Sequence, residues 1–346
     1  MRWLFARAEH NHLAKDTEMT VNLKRRTLLM SGATIMGLSI SCVSLAQSAA
    51  DKYPDKPIKI IVPFAAGGPV DTLARVIGQK MQEHWGQPVL IELRPGASTL
   101  IGTTALARSP ADGYTLIISV SNHTTNPAMH STMPYDTLKD FQPIGLMART
   151  PIVAYANPGF EANNLTELVA IAKRQPNVIS FGSAGTGSMT HLTAELLKQK
   201  AGIDMQHVIY KGGTPALMDT IAGHIPMTFA TVGQAWEQYK SKKVKPLGIS
   251  SEKRYPSMPD IPTFKEQGVD VVTTEWLGLL APAGTPPDIV AKLNAEIRRI
   301  VALPGLGDRL SAMEMVSSTP QELDAFIQSE MDRWAPLISQ LGIKVN

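Results

Sequence analysis

Apolar positions in this chain alternate between two rhythms. Short apolar runs at 58–63, 89–92 and 115–120 read as buried strands. Between the first two, Val70, Leu73, Ala74, Ile77 and Met81 recur at helical spacing through 70–84, and 100–107 reads as a further helix. Strand, helix and strand in this order predict an α/β fold, a parallel sheet covered by helices. The rhythm resumes downstream with an amphipathic helix at 165–173 and a strand at 178–181. A helix follows with Met189, Leu192, Leu196 and Leu197 on one stripe, then an apolar run at 225–230 and a helix at 289–301.

Two junctions carry candidate chemistry. The first strand runs into Phe64-Ala65-Ala66-Gly67-Gly68-Pro69. Pro69 fits the first helical position, where a missing N–H costs nothing, which makes Gly68 the N-cap. Asp71 is then the third helical residue, from which a carboxylate reaches back to the N-cap amide. The second junction is Gly182-Ser183-Ala184-Gly185-Thr186-Gly187-Ser188. As a P-loop it has Ser188 where the lysine must stand. As a dinucleotide fingerprint it lacks the third glycine, at Thr190. As a nucleophile elbow, Ser188 is followed by Met189-Thr190 rather than x-Gly. What remains is a small-anion nest of backbone N–H groups at a helix start, with the hydroxyls of Thr186 and Ser188. Ser188 equally fits a helix N-cap. His191, one turn on, fits either a hydrogen-bonded structural histidine or a group facing the cleft. Ser121, opening the loop Ser121-Asn122-His123, and Thr231 each follow an apolar run. They lie at strand carboxyl ends, where open α/β sheets bind ligands. Neither glycine turn contains a cation, so anion recognition is expected from backbone amides rather than from Arg75.

The chain has 346 residues, enough for two domains, and 44% hydrophobic with 18% charged residues excludes wholesale disorder. A net charge of +3 is too small to argue for nucleic acid. No metal-binding constellation appears, and no cofactor is expected. Lys24-Arg25-Arg26 followed by the uncharged stretch 27–45 and two small-residue sites, Ser44-Leu45-Ala46 and Ser48-Ala49-Ala50, reads as a secretory signal within 1–50. Met19 is an alternative start, and the mature chain is expected to begin between Gln47 and Asp51. Arg25-Arg26 also fits a twin-arginine signal, and Cys42, the one cysteine, fits a lipid-attachment site. No run of 18 apolar residues lies beyond this region.

Pro63, Phe64, Gly67, Gly68, Asp71, Ala74 and Arg75 resemble the P-F-x-P-G-G-x-x-D-x-x-A-R loop of the tripartite tricarboxylate transporter substrate-binding proteins, the Bug family, with Ala66 in place of a proline. Arg94-Pro95-Gly96-Ala97 resembles that family's N-R-P-G-A-G-G turn, from which Leu93, Ser98 and Thr99 depart. Gly185, Gly187, Ser188, His191 and Leu192 match G-x-G-S-x-x-H-L. Tyr210-Lys211-Gly212-Gly213, Pro259-Asp260-Ile261-Pro262-Thr263 and Ala281-Pro282-Ala283-Gly284-Thr285-Pro286 continue the likeness over roughly 52–346. The resemblance implies a two-lobed periplasmic binding protein-like fold. Lobe one would be 51–151 plus 272–346 and lobe two 152–271, with crossings near 150–154 and 271–280, and the helix at 289–301 would pack back on lobe one. It implies a periplasmic monomer that captures a small organic carboxylate for the membrane components of a tripartite tricarboxylate-type transporter. The expected ligand residues are Phe64, Ala66, Gly67, Gly68, Asp71, Ser121, Gly185, Thr186, Gly187, Ser188, His191 and Thr231. Many members carry an aspartate near Ala230 that can meet a ligand amine. Its absence here argues for an unsubstituted carboxylate. Two other functions fit the residues: a secreted hydrolase using Ser188 and His191, and a sensor presenting its ligand-bound state to a receptor kinase.

Overall fold

The computed structural model describes residues 52–310 and 313–345. The signal segment, Met19, Cys42 and the cleavage sites lie outside the described residues. The elements are β1 (Ile58–Val62), α1 (Pro69–Trp85), β2 (Val89–Leu93), α2 (Leu100–Ala107), β3 (Thr115–Val120), α3 (Asn122–Met129), β4 (Phe141–Ala156), α4 (Leu165–Arg174), β5 (Ser180–Ser183) and α5 (Met189–Ala201). They continue with β6 (Gln206–Ile209), α6 (Gly213–Ala222), β7 (Met227–Thr231), α7 (Val232–Lys240), β8 (Lys245–Ile249), β9 (Thr274–Pro282), α8 (Pro287–Val301), α9 (Leu306–Arg309), β10 (Glu314–Met315) and α10 (Pro320–Gln340).

The strands join one sheet in the order β2-β1-β3-β9-β4-β7-β5-β6, with β8 and β10 also paired to β4. β1 runs parallel to β2 and β3, and β5 parallel to β6 and β7, as the strand–helix rhythm requires. The two parallel groups are joined through β4, which runs antiparallel to its neighbours. Its residues 141–151 pair with β9, from Phe141 opposite Pro282 to Pro151 opposite Thr274. Its residues 152–156 pair with β7 on one edge, starting at Ile152 opposite Thr231, and 153–156 pair with β8.

Three elements differ from the sequence reading. β4 is a single 16-residue strand, although Pro143, Gly145 and Pro151 interrupt its pattern. Two register shifts, between Pro143 and Gly145 and between Leu146 and Ala148, absorb the irregularity. The Ser121-Asn122-His123 loop is instead the start of helix α3, whose Thr, Asn and Pro127 content hides it. Helix 289–301 packs as expected on the first part of the sheet, where the Asn294 amide donates to Ile144 O, but α10 follows it. Thr319 and Glu322 form a capping box that starts α10, with Pro320 at its first turn.

α10 spans two cores. Leu323 and Ile327 pack with Ile61, Leu106, Ile117, Trp276 and Leu280. Two to four turns on, Trp334 and Ile338 pack with Ile152, Phe181, Leu192 and Phe229. Trp276 is fully buried against Phe326 of α10 in a T-shaped contact.

After β2 the backbone is strained. Ala97, Ser98 and Thr99 all have positive φ, at 46°, 49° and 78°. Left-handed backbone costs non-glycine residues about 1–2 kcal/mol each. The turn is held from behind. Asn126 Nδ2 donates to Ser98 O at 2.8 Å, and Thr103 Oγ1 to Thr99 O at 3.0 Å. Ser98→Gly should therefore raise the unfolding midpoint. The gain is about 0.5–1 kcal/mol after the entropy of an added glycine, or about 1–3 °C. Calorimetry of parent and variant checks this, and an unchanged or lower midpoint contradicts it.

Candidate functional site

Carboxyl ends of parallel strands gather the candidate residues. Arg94 N donates to Val62 O, so the turns after β1 and β2 leave the sheet side by side. β1 ends in the turn Pro63–Gly68. Gly68 is the N-cap of α1 with Pro69 first in the helix, as expected. Asp71 is buried, but it does not cap Gly68. Its Oδ2 accepts from Gly67 N at 2.9 Å, and its Oδ1 faces Arg75 Nε at 3.0 Å. Burial raises the Asp71 pKa, yet the Gly67 amide and the Arg75 charge outweigh it and hold the group below its ordinary value. Asp71 is thus a clamp that sets the turn. Gly67 has φ 81°, which favours glycine, and Phe64 is half-buried beside the exposed Ala65 and Ala66. With Gly67 N committed, the amides of Ala66, Gly68, Val70 and Asp71 carry no bond among the described residues. They remain as donors at the helix start.

The second turn is wired more tightly. Ala184 N donates to Thr190 Oγ1, Gly185 N to Ser183 Oγ, Gly187 N to His191 Nδ1 and Ser188 N to Gly185 O. The Ser188 hydroxyl donates to Gly185 O at 2.7 Å and accepts from His191 N at 3.3 Å as the cap of α5. The expected nest of many free amides plus the Ser188 hydroxyl is therefore narrower. The amides left unbonded among the described residues are those of Thr186, Met189 and Thr190. Thr231 caps α7 through Gln234 N. The Gln234 side chain lies against Gly213, where a Cβ would come within 2.3 Å of its amide, so a larger residue there would displace the Gln234 side chain.

His191 supports this turn from below. It is buried, and its ring stacks on His207 at 4.0 Å, which stacks on Phe181 at 5.1 Å. Burial, then the charges of His207 and Lys198, push His191 down to about 3, and burial and Lys198 push His207 to about 4. Both rings are neutral near pH 7. Nδ1 of His191, accepting from Gly187, carries no proton. His123 is a buried ring among Tyr135 and Phe141, pushed by burial to about 4, and not a solvated loop group.

α3 links the two groups of loops. Its N-cap Ser121 follows β3. Its Thr125 Oγ1 donates to Gly187 O at 3.3 Å, and Met129 fills the space where a Gly187 side chain would stand. No bond joins the first glycine turn directly to the second among the described residues. Ser121 is fully buried, and its amide is occupied by Glu275 Oε1 at 2.9 Å. Glu275 was not among the residues singled out by sequence. A lone glutamate opening a strand carries no motif, and only β9 lying beside β3 reveals it.

Comparison with known proteins decides the family. The sequence profile described as "Tripartite tricarboxylate transporter family receptor" matches residues 73–343. The chain belongs to this receptor family. Among solved relatives, the periplasmic binding protein BugD is 32% identical with a TM-score of 0.78, over 84% of this chain and 99% of that one. Rpa4515 of R. palustris, solved with adipate, is 31% identical with a TM-score of 0.80, over 84% and 99%. MatC of Rhodopseudomonas palustris, solved with bound malate, is 31% identical with a TM-score of 0.76, over 83% and 100%.

The fold is thus the mixed α/β architecture of periplasmic binding proteins, and the receptor is a binding protein rather than an enzyme. The hydrolase alternative fails on geometry as well. The Ser188 proton points at Gly185 O, and His191 Nδ1 faces the Gly187 amide instead of the hydroxyl. No described helix of the receptor is long and apolar enough to cross a membrane.

The neutral histidines set an acid limit on the receptor. Below about pH 6.5 the unfolded chain binds protons that folded His123, His191 and His207 refuse. Stability should therefore fall as pH drops from about 6.5 toward 4. Urea midpoints across that range check this. His191→Gln, which retains an acceptor for Gly187 N, should flatten the slope, and an unchanged slope contradicts the assignment.

Proposed function

We propose that this receptor captures a small organic dicarboxylate in the periplasm and delivers it to the membrane components of a tripartite tricarboxylate-type transporter. The lobes would be 51–151 plus 272–346 and 152–271, closing over ligand held by the two glycine turns. The observation that carries the reading is the pair of helix starts, α1 and α5. Each offers unbonded amides at the carboxyl end of a parallel strand, and α3 ties the second turn to the first half of the sheet. The change of partner along β4, from β9 to β7 at residues 151–152, supports a lobe boundary there. The adipate and malate seen in two relatives support a dicarboxylate. Amide recognition is sufficient in principle, because a hydrogen bond to a charged group contributes about 1.5–3 kcal/mol.

Gly68 provides the clean test. Its φ of −82° suits any residue, and the nearest atom to an added Cβ is Ala65 O at 3.9 Å, so a side chain there leaves the fold intact. Gly68→Val should weaken binding of adipate or malate at least about tenfold, or 1.4 kcal/mol, by crowding the ligand's approach. Ser188→Ala should cost less, since that hydroxyl is already spent on Gly185. Arg75→Ala should stay near parent affinity, because Gly67 N still holds Asp71. Titration calorimetry on folded variants measures all three. Loss of binding in Arg75→Ala with parent-like Gly68→Val overturns amide recognition.

A further inference from the structure

One carboxylate near these loops has no charge partner. Glu275 opens β9, where the chain crosses from the second part of the sheet back to the first, and it stands opposite Thr150 of β4. It is half-buried. Its Oε1 accepts the Ser121 amide at 2.9 Å, and no lysine, arginine or histidine nitrogen among the described residues lies within 4.0 Å of it. The charges around it are accounted for on each neighbouring element. From α10 comes Glu330, a second carboxylate, itself bonded by Trp334 Nε1 at 2.9 Å and paired with Arg333. Arg333 is turned to Val272 O and to Glu330. On β4, Arg149 is one residue out of phase with Thr150 and so projects from the opposite face of the strand pair, over the Phe326 ring at 5.0 Å. On α3, His123 is buried and neutral.

The position places this acid beside the ligand loops. Ser121 caps α3, and four residues on, about 6 Å along the helix axis, Thr125 contacts the Gly185–Ser188 turn. Glu275 and the Gly185–Ser188 turn thus hold the same helix about one turn apart. A dianion entering here meets donors at the helix starts and, at Glu275, a like charge with no cation to offset it. Two carboxylates sharing a site cannot both stay ionised without a large cost.

Resting on the dicarboxylate reading above, we propose that Glu275 contacts the bound ligand and takes up one proton from solvent as the ligand enters, so that the two carboxyl groups share it in a hydrogen bond. Glu275 thereby determines specificity. It favours ligands whose distal group can share or donate a proton, a second carboxyl or a hydroxyl, and it makes capture pH-linked. Burial first, with Glu330 adding to it and the Ser121 bonds opposing, already raises the free carboxyl to about 7, which keeps the step within reach at neutral pH. The absence of an aspartate near Ala230 then no longer leaves the site without an acid.

Calorimetry of adipate and malate at pH 6 in MES, and at pH 8.5 in Tris and in EPPS, two buffers of different ionisation enthalpy, tests this. The parent should show a buffer-dependent enthalpy at pH 8.5 corresponding to uptake of up to one proton. Its affinity should fall about tenfold or more between the two pH values, as a one-proton linkage requires. Glu275→Gln, whose amide oxygen still accepts Ser121 N–H, should show neither effect and should bind at least tenfold tighter than parent at pH 8.5. Zero proton uptake by the parent overturns the inference without reference to any variant, as does equal uptake in parent and Glu275→Gln. If neither protein binds either carboxylate, the dicarboxylate reading fails and this inference falls with it. A pH-flat affinity in both overturns this inference alone.

Discussion

The structure hangs on the pairing demand of β4. A strand of 16 residues presents backbone donors and acceptors along both edges, and nearly all must be met because the strand is buried almost throughout. β9 meets one edge over 141–151, while β7 and β8 take over at 152 and 153. The handover is secured locally. Ser250 Oγ accepts Ile152 N and donates to Thr273 O, Ser250 N donates to Ile152 O, and Thr273 N donates to Ser250 O. Ser250 and Thr273 thus fill the gap between the end of β8 and the start of β9. Every loop around the site takes its position from strands aligned on this one.

Within that frame, amides are the scarce resource. Each glycine turn provides more N–H groups than it exposes, because part of the set is consumed in fixing the turn. Asp71 consumes Gly67 N, and His191, Ser183 and Thr190 consume three more in the second turn. Asp71, Ser188 and His191, expected as ligand contacts, each bond within these turns and so hold the remaining amides in place. Pre-aimed dipoles need no reorganisation when an anion arrives, which is where such a site gains over flexible lysines.

Elements with a regular period were legible in the sequence. Strands β1 and β3 and helices α1, α2, α4 and α8 lie within a residue or two of the pattern, because β1 and β3 are short apolar runs and α1, α4 and α8 carry an apolar stripe at helical spacing. α3 was not legible. Its residues are poor helix formers, and it survives because β3 delivers it into contact with α10 and Gly187. β4 was legible only in pieces, since bulges break its alternation. Both glycine turns could be placed by their caps and by Pro69. The consumption of their amides could not, because it depends on side chains folding back from positions 71, 190 and 191. Glu275 lay beyond sequence reasoning altogether: its bond to Ser121 follows from β9 running antiparallel beside β3, a long-range pairing with no local signature.

α10 limits how such a frame can move. Its first turns are buried in one core through Leu323 and Ile327, and later turns in the other through Trp334 and Ile338. A buried side chain of this size stabilises by about 1.5–3 kcal/mol, so pulling either end of α10 from its core is costly. A hinge confined to β4 and β9 would have to shear one of those contacts. The helix also contains Pro336, whose missing N–H removes the backbone bond to Asp332 O, where the helix passes from Ile327 to Trp334. Bending there would let the turns from Trp334 onward follow the second core while the turns up to Ile327 stay with the first. Glu330 and Trp334 stand on either side of the unbonded Asp332 carbonyl, so that bend would bear on their side-chain bond and, through Glu330, on the environment of Glu275.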